Sequence, residues 1–198
     1  MRATVVFVVS CVIKGISALI RISHPVVAMV ARLWRLAVFQ SSVSHAVPLT
    51  TQFDGKITVV GTGNIILGQH CRFGDGVLLE TKGEGKIVLG DNVRINKGCV
   101  LTARTEIMIG NDTLMGEYSS IRDANHCIKK SFLIREQGHV ADKITIGQDV
   151  WIGRGTIVLK GVSIGEGAVV GANSTVNHSI KAQSINVGAP SRLLKYRE

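Results

Sequence analysis

The chain has 198 residues, a formal net charge of +9, 45% hydrophobic but only 5% aromatic content, and 22 glycines against 3 prolines. A core of Val, Ile and Leu with so few rings suits a stack of short, similar strands and argues against a helical globule. The basic balance favours anionic partners, but nucleic acid is discounted because the chain has no basic–aromatic stripe, Cys/His finger spacing or RNA-binding signature.

The first segment, residues 1–45, is a hydrophobic arm without an acidic residue. Its apolar run Ala3–Ile13 would span roughly 16 Å as a helix, against about 30 Å of bilayer hydrocarbon. On a helical wheel Lys14, Arg21, Arg32 and Arg35 fall within a sector of about 60°, and Pro25 kinks or divides the helix. A basic stripe on an apolar helix suits attachment to a membrane surface. Helices packing on the domain or on a neighbouring subunit, and a signal or spanning segment, are the alternatives.

Residues 46–189 carry a repeat. From about Leu67 onward an aliphatic residue followed by Gly recurs with a period of six, as in Leu67-Gly68, Phe73-Gly74, Leu89-Gly90, Ile109-Gly110 and Met115-Gly116. The series runs without slip from Ile146-Gly147 through Ile152-Gly153, Val158, Ile164-Gly165 and Val170-Gly171 to Val176. Three units make a triangular coil of about 18 residues whose corners each need one inward aliphatic and a turn residue tolerant of left-handed backbone. Stacked coils bury those aliphatics in one column. The cysteines Cys11, Cys71, Cys99 and Cys127 form no CxxC pair, so neither a zinc knuckle nor a thioredoxin-like site is indicated. Cys71 and Cys99 fall at small-residue positions of the repeat and read as buried hydrophobes.

Three insertions interrupt the register: Lys82-Gly83-Glu84-Gly85, two extra residues between Leu101 and Ile109, and a long loop over 127–143. A long loop on a solenoid usually serves function. His126 stands where that loop leaves the repeat. Imidazole suits the removal of a hydroxyl proton near neutral pH, although a plain surface histidine is an equal reading of the residue alone.

The span from about Leu89 onward resembles the hexapeptide-repeat acyltransferases, in particular the galactoside and maltose O-acetyltransferases and related polysaccharide O-acetyltransferases. The likeness rests on Ile144-Thr145-Ile146-Gly147-Gln148-Asp149-Val150-Trp151-Ile152-Gly153, on Val187-Gly188-Ala189-Pro190-Ser191-Arg192, and on a histidine 17 residues after the Ile of an Ile-Gly unit, here Ile109 to His126. The resemblance implies an all-β, left-handed parallel β-helix; the amphipathic helical arm before it, read from its own residues, is unlike the family's, and a short C-terminal tail, residues 190–198, follows. It implies direct acetyl transfer from acetyl-CoA to a saccharide hydroxyl, with His126 as general base and Asn96 near the reacting centre and the acceptor. Asp123 and Asn125 are expected to touch the acceptor; Asp123 reads equally as a turn residue or as the group that fixes the imidazole tautomer. The donor is assigned Trp151, Gly153, Arg154, Gly171, Ala172, Asn177, His178 and Arg192, with no metal.

The family pattern commonly has Thr-Lys where this chain has Asn177-His178, and a small polar residue at Arg154, departures that point to a different acceptor. The resemblance further implies a homotrimer with sites between subunits; the need for acetyl-CoA and the basic arm point to the cytoplasm or the cytoplasmic face of the membrane. Two other readings stay open: a non-catalytic β-helix scaffold, and a zinc carbonic anhydrase of the same fold. The second needs a histidine pair on one coil, which His70, His126, His139 and His178 do not supply.

Overall fold

Each six-residue unit forms one short strand and one corner, because a single inward aliphatic cannot be buried until another coil lies on it. The structure, a computed structural model, describes residues 13, 14, 17 and 26–198. Its strands build three parallel walls of a left-handed β-helix. The first wall stacks Gln52–Phe53, Arg72–Phe73, Arg94–Ile95, Leu114–Met115, Trp151–Ile152, Val169–Val170 and Ser184–Val187. The second stacks Ile57–Gly61, Val77–Thr81, Val100–Ala103, Ser120–Arg122, Ile157–Val158 and Thr175–Val176. The third stacks Ile65–Leu67, Lys86–Leu89, Glu106–Ile109, Ile144–Ile146 and Ser163–Ile164, with Ile180 bridging to Ile164.

Equivalent residues lie in register from coil to coil. Phe73, Ile95, Met115, Ile152 and Val170 form one such column, and all are buried. Each aliphatic removed from water this way contributes about 1.5–3 kcal/mol. Cys71 and Cys99 are buried beside the corners, where their thiols donate to Gly90 O at 3.2 Å and Gly116 O at 3.0 Å. The corners demand backbone that a side chain resists. Tyr118 and Asn173 are left-handed, while Gly98 and Gly155 hold the same column. At Gly153 a Cβ would stand 2.5 Å from Ala172 N, so the coils could not close.

The repeat begins two strands earlier than the sequence pattern suggests. Phe53 is buried in register with Phe73, and Ile57–Gly61 already forms the second wall. The signal was missing because Phe53 is followed by Asp54 rather than Gly. The short C-terminal tail forms a strand, Arg192–Tyr196, antiparallel to Ser184–Val187, that closes the first wall.

The open base of the stack is covered by a helix over residues 26–40. Phe39 meets Phe53 at 4.9 Å and Phe73 at 5.9 Å between ring centroids, and Leu36 is buried with them. Arg32 donates to Leu49 O and Arg35 to Phe53 O. These two arginines, both still exposed, therefore tie the helix to the domain, as the alternative of a helix packed on the domain expects; Arg21 lies outside the described residues. The outward face is apolar, with Val26, Val27, Val30, Leu33, Trp34 and Val38 exposed. Among the described residues no helix is long and apolar enough to cross a membrane.

All three insertions fall on one corner, between the second and third walls. The turn 82–85 follows Val77–Thr81, residues 104–105 follow Val100–Ala103, and the long loop follows Ser120–Arg122.

Candidate functional site

The long loop leaves its corner as a two-stranded antiparallel ribbon, Ala124–His126 with His139–Ala141. Its root is held by Asp123, which is fully buried. The Asp123 carboxylate accepts from the backbone N–H of Arg104 at 2.8 Å, of Thr105 at 2.7 Å and of Glu106 at 2.9 Å. It thus fastens the loop to the turn of the coil below. This placement does not fit an acceptor contact by Asp123, because both oxygens are occupied inside the wall. The turn-building role is the one its bonds serve.

His126 is exposed and pairs across the ribbon with His139, the ring centroids 4.2 Å apart. On the far side of that pair Arg104 Nη2 donates to His139 Nε2 at 3.3 Å. A guanidinium can only donate, so His139 Nε2 must present a lone pair and the ring is neutral. Burial of its proton site, then the charges of Arg104, His126, Lys82 and Arg122, hold the His139 pKa below its ordinary value. Neighbouring residues of a strand point to opposite sides. Asn125, paired with Val140, and Cys127 therefore take the other side of the ribbon from the His126 ring.

Charged groups continue down the corner. Lys82 lies one coil below Arg104, its N–H donating to Ala103 O at 2.9 Å, and its ammonium pairs with Glu80 at 2.6 Å. The Lys82 hydrogen bond leads the effects that hold the Glu80 carboxyl below its usual range. Arg122 stands beside Thr102 in the second wall, and Thr102 in turn beside Glu80.

The remaining candidates lie elsewhere on the triangle. Asn96, Gly153, Arg154, Gly171 and Ala172 occupy the corner between the first and second walls. There Asn96 Nδ2 donates to Glu117 Oε1 at 3.3 Å, and the Arg154 guanidinium sits 5.6 Å from the centroid of the Tyr118 ring. Trp151, 56% exposed, and Arg192 lie on the first wall. Asn177 and His178 return to the corner of His126, where Asn177 Oδ1 meets His178 Nδ1 at 2.9 Å. One chain thus separates His126 from Asn96 by the width of the second wall, about six extended residues or 20 Å.

Comparison with known proteins places these corners in a family. The bacterial transferase hexapeptide family (six repeats) matches residues 143–178. A putative lipopolysaccharide biosynthesis O-acetyl transferase of Escherichia coli K12 is 35% identical over 141 residues, covering 67% of this chain and 72% of that protein. The chain belongs to the hexapeptide-repeat acyltransferase family. A probable acetyltransferase of Mycobacterium tuberculosis is 32% identical over 158 residues, 78% of this chain; the chain spans about half of that relative, 47% of its length. Among solved structures, the N-acyltransferase AntD of Bacillus cereus, in complex with dTDP and 3-hydroxybutyryl-CoA, superposes with a TM-score of 0.71 at 22% identity, over 82% of this chain and 87% of that one.

Within this hexapeptide-repeat acyltransferase, three neighbours of the candidate residues were given no role by the sequence. His139 is 13 positions from His126 and becomes its neighbour only through the antiparallel ribbon. Glu117 reaches Asn96 from the next coil, and Tyr118 carries Arg154. Counting one coil on from Asn96 reaches Glu117, the one signal that could have found it; no local signal marks His139.

Proposed function

We propose that the protein is an acetyl-CoA-dependent O-acetyltransferase acting on a saccharide hydroxyl, with His126 as general base. The observation that carries this reading is the exposed His126 ring at the root of the one long loop, held against a neutral His139. The acceptor oxygen attacks the thioester carbonyl carbon, forming a C–O bond. His126 takes the hydroxyl proton, the C–S bond breaks, and that proton passes to the sulfur, giving an acetyl ester and free CoA thiol. Family membership supports the acyl donor, and the relatives' names support transfer to oxygen on a glycan.

Asn96, Trp151, Arg154, Gly153, Gly171 and Ala172 serve the reaction from the corner and wall of a neighbouring subunit in a homotrimer. The reason is distance: a single chain does not bring them to His126. A closed heterologous ring sets unlike corners against each other. The exposed apolar face of the helix 26–40 attaches the protein to a membrane surface on the cytoplasmic side.

The test is CoA thiol release from acetyl-CoA against sugars, sugar phosphates and nucleotide sugars, with His126→Ala in parallel. The expected loss in His126→Ala is on the order of 100-fold or more. Equal thiol release by both proteins with every active acceptor would remove His126 from the chemistry.

A further inference from the structure

We infer that the acceptor carries its own negative charge, a phosphate or carboxylate on the sugar, which Arg104 and Lys82 hold on the corner beneath His126. The inference rests on the acetyltransferase reading above.

Charge balance is the first support. Lys82, Arg104 and Arg122 gather around the His126–His139 pair. Glu80 answers Lys82, and Asp123 is turned into the wall with its oxygens on three backbone N–H groups. Among the described residues no carboxylate forms an ion pair with Arg104 or Arg122, whereas the nearby Lys86 is matched by Glu106 at 3.0 Å. Arg104 is thus left to donate to the neutral His139, and the cations around that ring disfavour a proton on it. A cationic crowd of this kind is relieved by an anion. A guanidinium gives it a planar fork that matches phosphate or carboxylate.

Position is the second support, and it decides between the two substrates. The strands that carry Trp151, Gly153, Gly171 and Ala172, all assigned to the donor, stack on the C-terminal side of the coil bearing His126. Lys82 and Arg104 belong to the two coils on its N-terminal side. An anion held there approaches the base from the end opposite the donor, so it belongs to the acceptor and not to the phosphates of CoA.

The experiment uses the full chain and the variants Arg104→Ala, Arg104→Lys and Lys82→Ala. Thiol release is measured with a sugar 1-phosphate, the corresponding uronic acid and the neutral methyl glycoside. At least one charged sugar should exceed the neutral one by 10-fold or more in kcat/KM, on the order expected when a charged hydrogen bond is lost; which one does so tells phosphate from carboxylate. Arg104→Ala should abolish most of that preference through acceptor KM, leave the KM of acetyl-CoA unchanged, and be partly rescued by Arg104→Lys. A preference for the neutral glycoside, or one for a charged sugar that survives both alanine variants, overturns the proposal.

Binding is read separately by titrating inorganic pyrophosphate while following the His126 and His139 ring resonances. Shifts in wild type that vanish in Arg104→Ala support the anion site even if no acceptor releases thiol, the result that would sink the acetyltransferase reading instead. No shift in wild type, or equal shifts in both proteins, counts against the site.

Discussion

The imidazole rings of His126 and His139 lie 4.2 Å apart and inclined by 40°, joined through the only antiparallel pair on this corner among the described residues. Because Arg104 donates to His139 Nε2, a proton at that nitrogen breaks the contact. The His139 pKa is lowered, by burial of the proton site first and then by the neighbouring cations. A histidine with a folded pKa below its unfolded value adds stability above the unfolded pKa and loses it as pH falls through the folded one. The ring pair should therefore be intact at neutral pH and open on acidification below about 6.5. Titration of the His139 ring by NMR should give a midpoint below that of a free histidine, rising in Arg104→Ala. A midpoint at or above 6.5 in the wild type contradicts the assignment.

Asp123→Ala leaves three backbone N–H groups without their acceptor in a buried turn. The expected cost is about 3 kcal/mol, since each orphaned donor forfeits on the order of 1 kcal/mol or more. Asp123→Asn, which keeps one carbonyl oxygen, should lose less. Urea unfolding midpoints rank the three proteins. An unchanged midpoint for Asp123→Ala would show that the loop root is held by something else.

The thiols divide by burial. Cys71 and Cys99 are pushed up to about 11 by desolvation, and they are sealed inside the coil. Cys127, half-buried at the ribbon, is the accessible one of these three. Brief alkylation at pH 8 followed by peptide mapping should label Cys127 and spare Cys71 and Cys99 until denaturant is added. Labelling of either buried thiol in the folded protein would contradict the packing described for the corner columns.

Separation of His126 from Asn96 on one chain predicts complementation. Asn96→Ala and His126→Ala should each be strongly impaired alone. Coexpressed, they should recover about a quarter of wild-type activity, the fraction of intersubunit sites that receive both intact residues by random assembly in a ring. No recovery in demonstrably mixed oligomers places the two residues in separate roles.

The six-residue period made the walls, the buried column and the three insertions legible, because corner geometry restricts which residues can stand there. Phe53 escaped it: the first coil is closed by packing against Phe39 of the helix, a tertiary contact that leaves no repeat signature. The site was legible only in part. His126 stood out through the resemblance, by its distance from Ile109, but His139 meets it through a ribbon whose pairing no periodicity encodes, and Arg104 reaches only His139, from the turn below. Arg32 and Arg35 share one helical face by their wheel positions, but their bonds to Leu49 and Phe53 at the base of the domain are tertiary contacts that the sequence of the helix alone does not contain.

The gathering of every insertion on one corner has a consequence for how such chains diversify. Coils touch only their neighbours, and each doubling of a loop's length adds only about 0.6 kcal/mol to its closure. With Asp123 locking the root below, the ribbon from Ala124 to Ala141 can lengthen, shorten or change its side chains while the strands above and below keep their register. The walls and the edge that carries the insertions can then vary independently, so new side chains at that edge are open to this scaffold at small cost to its stability.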